Sequence, residues 1–397
     1  MSLIREIKPG VDWIGAIDWD RRLFDALIPL PNGTSYNSYL VRGTEKTALI
    51  DAVDTTMVDV LVDNLDELGI DNLDYIVSQH AEQDHSGSIE VLLDLYPDTV
   101  VKSTQKCKDL LIEFGIASDQ EVQAVNDGDK LDLGGKTLEF IHAPWVHWPD
   151  TMFTHLPEDK VLFTCDFLGS HLATSDLYAT DERTVYGSAK RYYAEIMMPF
   201  RPQVKSHLEK VNGIKPEIVA PSHGPIYNRP EFIVEAYADW SSDQVKNQVV
   251  LPYVSMHGST AAMVEYFVDA LIQRGIGVRR FDLTQTDIGE LAESLVDAAT
   301  LVVGSSTILV GAHPLALYAA ILANALRPKT RFASIIGSFG WGGKMVEQIT
   351  GTIPNLKVEV LKPVVAKGYP KEEDLLELDR LADDILAKHN ALGIVKS

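Results

Sequence analysis

The chain has 397 residues, 46% of them apolar, enough to bury a large core and to make two or three domains. Fifty-seven acidic residues against thirty-five basic ones leave a formal charge of -22, a surface that repels phosphate backbones and anionic lipid and argues against nucleic-acid or membrane-surface binding. Two cysteines, Cys107 and Cys165, exclude a disulfide framework, a four-cysteine rubredoxin centre and a cysteine-ligated iron–sulfur cluster.

No uninterrupted apolar stretch approaches the roughly 20 residues that span a bilayer. The opening "MSLIREIKPG" carries no apolar segment with a cleavage site, so a cytoplasmic location is the expectation. "TSYNSYLVRG" and "KTALIDA" then read as strands, and "MVDVLVDNLDEL" repeats its apolar residues at helical spacing. The rhythm continues through "LDYIVSQ", "SIEVLLDLY", "TVVKS" and "KDLLIEFG", and two short strands flank Gly134-Gly135 as a hairpin. This first part is α+β material.

From about residue 245 strand-like runs alternate strictly with helix-length segments: "QVVLPYVS", "AAMVEYFVDALIQRG", "VRRFDL", "ATLVVGSS", "LALYAAILANAL", "RFASIIGS", "VEVLKPVV" and the charged end "EEDLLELDRLADDILAKHNAL". Such alternation over about 150 residues predicts an α/β doubly wound parallel sheet. The boundary is placed in the polar "SSDQVKNQ", giving domains of 1–247 and 248–397.

The first domain carries a dense cluster, "SQHAEQDHSG", with His80, Glu82, Asp84 and His85 on a loop leaving the strand "LDYIVSQ". A polar loop with Ser86 or Ser88 capping the next helix is the plain alternative. The pattern recurs where other strands stop: "TLEFIHAPWVHWPD" leads to His147, "KVLFTCD" ends at Asp166 and "PEIVAPSHGP" ends at His223. Histidine and carboxylate are first-row-metal ligands, and seven candidates are too many for one ion but suit two bridged by a carboxylate. Cys165, next to Asp166 on an apolar strand, is expected to be buried on the opposite face.

In the second domain "SMHGSTAAM" follows a strand and opens a helix, a hydroxyl- and glycine-rich turn suited to a phosphate. No Gly-Lys-Ser/Thr follows, so it is not a nucleoside-triphosphate loop. "GSSTILVG" and "GSFGWGG" follow the next-but-one and last inner strands and would gather at the same sheet edge.

His-x-Glu-x-Asp-His-Ser-Gly, followed by "PWVHWPDTM", "CD" and "PSHGP", resembles the flavodiiron proteins, or A-type flavoproteins, over nearly the whole chain. The resemblance implies an N-terminal metallo-β-lactamase-like αββα sandwich holding two non-haem irons and a C-terminal flavodoxin-like domain holding FMN. It implies one iron on His80, Glu82 and His147, the other on Asp84 and His223, Asp166 bridging, and His85 left open as a ligand. In hydrolytic relatives of that fold the position of Glu82 is a histidine and the metal usually zinc; three carboxylates favour iron or manganese. His171 and Tyr193 could line the pocket and donate protons or hydrogen bonds, with ordinary packing as the alternative.

For the flavin the match implicates Ser255, Met256, His257, Gly258, Ser259 and Thr260, then Ser306, Thr307, Ile308 and Gly311, then Ser338, Phe339, Gly340, Trp341 and Gly342. Three departures stand out. Val254-Ser255-Met256 replaces a common Asp-Thr-Met, Leu309-Val310 replaces a commonly polar pair, and Pro252 predicts a shortened strand or a bulge before the phosphate loop.

What the resemblance implies is an oxidoreductase reducing O2 to water, NO to N2O, or both. Electrons would come from a rubredoxin-like protein or F420H2, and a head-to-tail homodimer, or a tetramer, would bring one subunit's flavin to its partner's irons. The rival readings are a zinc hydrolase with an accessory flavodoxin-like domain and a flavodoxin-type electron carrier.

Overall fold

The computed structural model describes residues 3–395. It divides into two compact units, one running to Tyr193 and including Phe200–Ser241, the other made of Ala194–Pro199 and the chain from Ser242 onward. The strand Lys246–Tyr253 lies across residue 247, so the polar stretch before it, rather than 247 itself, marks the change of unit. Among the described residues no helix is long and apolar enough to cross a membrane.

The first unit stacks two sheets. One runs in the order Arg5–Lys8, Val11–Trp13, Tyr39–Arg42, Thr47–Ile50, Tyr75–Val77, Val100–Ser103, Val122–Ala124, antiparallel at its start and parallel from Thr47–Ile50 onward. The other runs Lys130–Asp132, Thr137–His142, Met152–Leu156, Val161–Cys165, Ile218–Pro221. Gly134 and Gly135, at φ 83° and 74°, turn the hairpin between the first two of these.

Side chains alternate along the strands, which decides what each covers. Val11, Val41, Ile50 and Val77 of the first sheet meet Leu138, Phe140, Met152 and Phe163 of the second in one core. Leu40, Leu49, Ile76 and Val101 face the other way, against Leu61 and Leu65 of the helix Val58–Glu67 and Leu111 of Gln105–Glu113. Phe153, on the outer face of the second sheet, packs its ring on His207 of the helix Arg201–Ile214. Helix, sheet, sheet, helix is thus the layer order.

Asn37 fastens the sheets where His223 emerges. Its Oδ1 accepts from Trp13 Nε1 at 2.9 Å, and its Nδ2 donates to the carbonyls of Pro221 and Gly224 at 2.7 and 2.8 Å.

The second unit is a parallel sheet in the order Gly277–Asp282, Lys246–Tyr253, Ala298–Ile308, Phe332–Phe339, with Glu359–Val360 and Val364–Lys367 at the far edge. Numbered by chain order this is 2-1-3-4-5, the flavodoxin-like doubly wound arrangement, whose ligand crevice lies at the carboxyl ends of the strands. Helices Ser259–Gln273 and Glu372–Ala391 share a core with the sheet, through Phe267, Leu271, Leu378 and Ile385.

Pro252 neither shortens its strand nor bulges it. It pairs in register with Phe281, and the one irregularity lies between Lys246 and Val249. The loss is confined to the other neighbour, where the register passes from Val250 opposite Leu301 to Tyr253 opposite Gly304. One missing donor is tolerated because the pairs on both sides of it hold.

Candidate metal centre and cofactor cleft

Each strand end anticipated from the sequence delivers its side chain to one buried spot. His80 leaves Tyr75–Val77 after Ser78 and Gln79, and that loop is pinned by the buried Asp51, which accepts from Gln79 N at 2.8 Å and Gln79 Nε2 at 3.1 Å. The cluster is not all loop, because Gln83–Ser86 forms a helical turn that presents Asp84 and His85. Neither expected cap is made there: Ser86 Oγ donates to Ala81 O at 2.7 Å and Ser88 Oγ to Val53 O at 2.7 Å.

The donors fall into two groups joined by one carboxylate. Glu82 Oε2 lies 3.1 Å from His80 Nε2 and 3.1 Å from His147 Nε2. Asp84 Oδ2 lies 2.9 Å from His223 Nε2, and Asp84 Oδ1 3.4 Å from His85 Nε2. Asp166 turns Oδ2 to the first group, 3.7 Å from His80 and 3.4 Å from His147. Its Oδ1 faces the second, 3.1 Å from His85 and 3.3 Å from His223. Donors about 2.1 Å from a shared cation at tetrahedral or octahedral angles stand about 3.0–3.4 Å apart, which most of these spacings match; the His80–Asp166 distance of 3.7 Å is the longest.

Buried orphan atoms point the same way. Asp84 Oδ1, His85 Nε2 and Asp166 Oδ2 are buried and have no hydrogen-bond partner, a state that a bound cation relieves. The far ring nitrogens are committed: His80 Nδ1 meets Asp150 at 3.1 Å, and His223 Nδ1 donates to the carbonyl of Ser35 at 2.7 Å. A carbonyl can only accept, so the proton of His223 sits on Nδ1 and Nε2 is free for the centre.

Electrostatics describe a site built around missing positive charge. Burial alone pushes His147 and His223 down, but the carboxylates outweigh it. Asp166 and Glu82 raise His147 to about 9, and Asp166 and Asp84 raise His223 to about 10. Burial opposes ionisation of Asp166, yet His85, His147 and His223 hold it well below the carboxylate range. Protonated imidazoles here occupy the place of metal charge.

In the second unit the cleft at the strand ends is walled by Ser255, Met256, His257, Ser259, Thr260, Ser306, Thr307, Ser338, Phe339, Gly340 and Gly368. Thr260 Oγ1 and Ser338 Oγ are 3.0 Å apart and tie two of the loops together. Hydroxyls at the start of the helix Ser259–Gln273 are a donor set for a phosphate, so the cleft fits a phosphorylated flavin.

A family model described as "ODP family beta lactamase" matches residues 34–224. The nitric oxide reductase of Moorella thermoacetica is 34% identical, with 98% of this chain aligned to 99% of that one. The coenzyme F420H2 oxidase of Methanothermobacter marburgensis is also 34% identical, over 89% of this chain and 90% of its own. Among solved structures, the rubredoxin oxygen:oxidoreductase of Desulfovibrio gigas superposes with a TM-score of 0.94 at 28% identity, covering 98% of this chain and 99% of that one.

The chain belongs to the flavodiiron protein family. It is an oxidoreductase, and the family's cofactors are a flavin and a non-haem diiron centre.

Within this flavodiiron protein all seven histidine and carboxylate candidates converge, and His85 sits with Asp84 and His223. His171 stands beside them, its ring 5.0 Å from His223 and its Nδ1 2.9 Å from Thr34 Oγ1. Tyr193 packs its ring 5.2 Å from Tyr237. Its neighbour Tyr192, which the sequence reading did not single out, donates its hydroxyl to Asp166 Oδ1 at 2.8 Å. Tyr192 belongs to the buried stripe of its helix, with Val185, Ser188 and Ala189.

Cys165 is buried as anticipated but does not point away, since its Sγ lies within 4.8 Å of the donor atoms of Asp51 and His85. The left-handed φ of 53° at Cys165 ends the strand's alternation. Asp150 was not anticipated, although it stands three residues after His147. At the flavin cleft Gly368 is an addition. Gly258 caps the helix at φ 87°, Ile308 and Gly311 pair at the base of a hairpin, and Trp341 and Gly342 lie outside the wall.

Proposed function

We propose that this protein reduces O2 to two waters, NO to N2O and water, or both, at a diiron centre fed through FMN. The observation that carries the reading is the two-faced Asp166, set between a His80–Glu82–His147 group and an Asp84–His85–His223 group. The names of the relatives, a nitric oxide reductase, an F420H2 oxidase and a rubredoxin oxygen:oxidoreductase, support it.

His80, Glu82 and His147 would hold one iron, Asp84, His85 and His223 the other, and Asp166 would bridge them. When bound, the irons supply redox equivalents and open positions for O2 or NO, and FMN supplies two further electrons. The chain's own groups do the rest. Asp150 and Ser35 fix the rings of His80 and His223, and the hydroxyl of Tyr192 steadies one oxygen of Asp166. His171, held neutral by burial and by its neighbour His223, is placed to pass a hydrogen bond into the pocket. In the cleft Ser255, Ser259 and Thr260 would take the phosphate.

An external donor is required, a rubredoxin-like protein or F420H2, and we propose a homodimer that pairs one subunit's flavin with the other's irons. Anaerobic purification followed by metal and flavin analysis tests the reading. Two irons and one FMN per chain are expected, with NO or O2 consumed only when a donor is present. Two zinc ions and no flavin would overturn it.

A further inference from the structure

The helix Pro314–Leu326, which follows the short strand Gly311–Ala312 of the second unit, reads PLALYAAILANAL and carries no charged residue. Its inner side is the buried stripe Ala316, Ala319, Ala320, Ala323 and Leu326, which packs on the sheet. The outer side is just as apolar. Pro314, Tyr318, Ile321 and Ala325 are exposed, with Leu315, Leu317 and Leu322 half-buried beside them. Tyr318 leaves 39% of its surface to solvent and Ile321 54%.

A helix that is apolar all round is ordinarily covered all round. Other surface helices of this unit are not built this way: Ser259–Gln273 turns Glu265 and Asp269 outward, and Glu372–Ala391 turns Glu373 and Asp383 outward. On Pro314–Leu326 the exposed residues recur at intervals of 4, 3 and 4, the seam spacing of two helices packed side by side.

Charge selects the occupant. A formal charge of -22 makes copies of this chain repel one another over most of their surface, and the uncharged helix is a place where two copies can meet without that cost. The charges at its two ends are complementary. Arg327, exposed, caps the C-terminal end. Glu347, also exposed, stands at the N-terminal end, where its neighbour Gln348 accepts from Ala312 N at 2.8 Å. Neither has an ion-pair partner among the described residues.

We infer that the outer face of Pro314–Leu326 is a contact between two copies of this chain, related by a two-fold axis level with Ala319 and Ala320. The two helices then run antiparallel, with Tyr318 of each copy against Ile321 of the other and Ala325 against Pro314. Arg327 of each approaches Glu347 of the other, so the pair forms twice. This contact is separate from the flavin-to-iron pairing proposed above, and the two together join four chains.

The test measures the particle mass of the full-length, cofactor-loaded protein by sedimentation velocity, with turnover per chain measured alongside. Ile321→Asp sets a charge in each half of the seam and is expected to lower the mass by about half, with turnover kept within about twofold. Arg327→Glu is expected to weaken the association about tenfold, and Arg327→Glu combined with Glu347→Arg to restore it. An unchanged mass in Ile321→Asp overturns the contact, including the case where the face instead takes up lipid vesicles or a different protein. A double variant no better associated than Arg327→Glu alone overturns it too. Turnover lost together with the mass also overturns it, because the helix would then hold the flavin-to-iron pairing instead. Should Ile321→Asp fail to fold, the surface charge pair decides alone.

Discussion

Asp166 is approached by four imidazoles and a phenol, and it turns one carboxylate oxygen to each donor group. Asp166→Ala is therefore expected to lower iron content at least about tenfold, read by metal analysis. In the metal-free protein His147 and His223 titrate near 9 and 10, above the roughly 6.5 of an unfolded chain. Their folded values are raised, so their stabilisation is complete below about pH 6.5 and is lost as pH rises through 9 and 10. Thermal scans of the metal-free protein should show the midpoint falling across that window, while Fe(II) binding strengthens with pH and releases protons. Tyr192→Phe should slow turnover about tenfold with both irons retained, whereas Tyr193→Phe should leave it within about twofold. The candidate donors were legible because they follow the ends of apolar strands. Asp150 was not, because a carboxylate that orients a histidine leaves no spacing of its own.

At the scale of elements, the terminal helix Glu372–Ala391 anchors itself through the buried His389, whose ring nitrogens meet Thr300 Oγ1 and Asn247 Oδ1, each at 2.8 Å. Burial holds His389 down at about 4. Its folded value lies below the unfolded one, so its stabilisation is present above about pH 6.5 and is lost as pH falls toward 4. Between pH 7 and 5 this amounts to about 2 kcal/mol. Urea titrations at the two pH values should show that loss, and His389→Gln should remove it. Asn37→Ala leaves the indole N–H of Trp13 and the carbonyl of Gly224 without this partner, while the carbonyl of Pro221 keeps the hydroxyl of Tyr39, and should cost about 2–4 kcal/mol of stability and loosen the loop bearing His223. Strict strand–helix alternation made the second unit readable. Pro252 misled because a proline on one side of a parallel strand removes a single donor and leaves the strand's path unchanged.

For the whole molecule the proposed reaction is a matter of counting electrons. A flavin holding two electrons and a diiron pair holding two more together match the four that carry O2 to water without releasing peroxide. Flavin alone would stop at two. The most direct measurement reduces the fully loaded protein anaerobically and adds substoichiometric O2, counting electrons consumed and assaying peroxide. Four electrons per O2 and no detectable peroxide are expected; two electrons per O2, with peroxide formed one-for-one, would contradict the account.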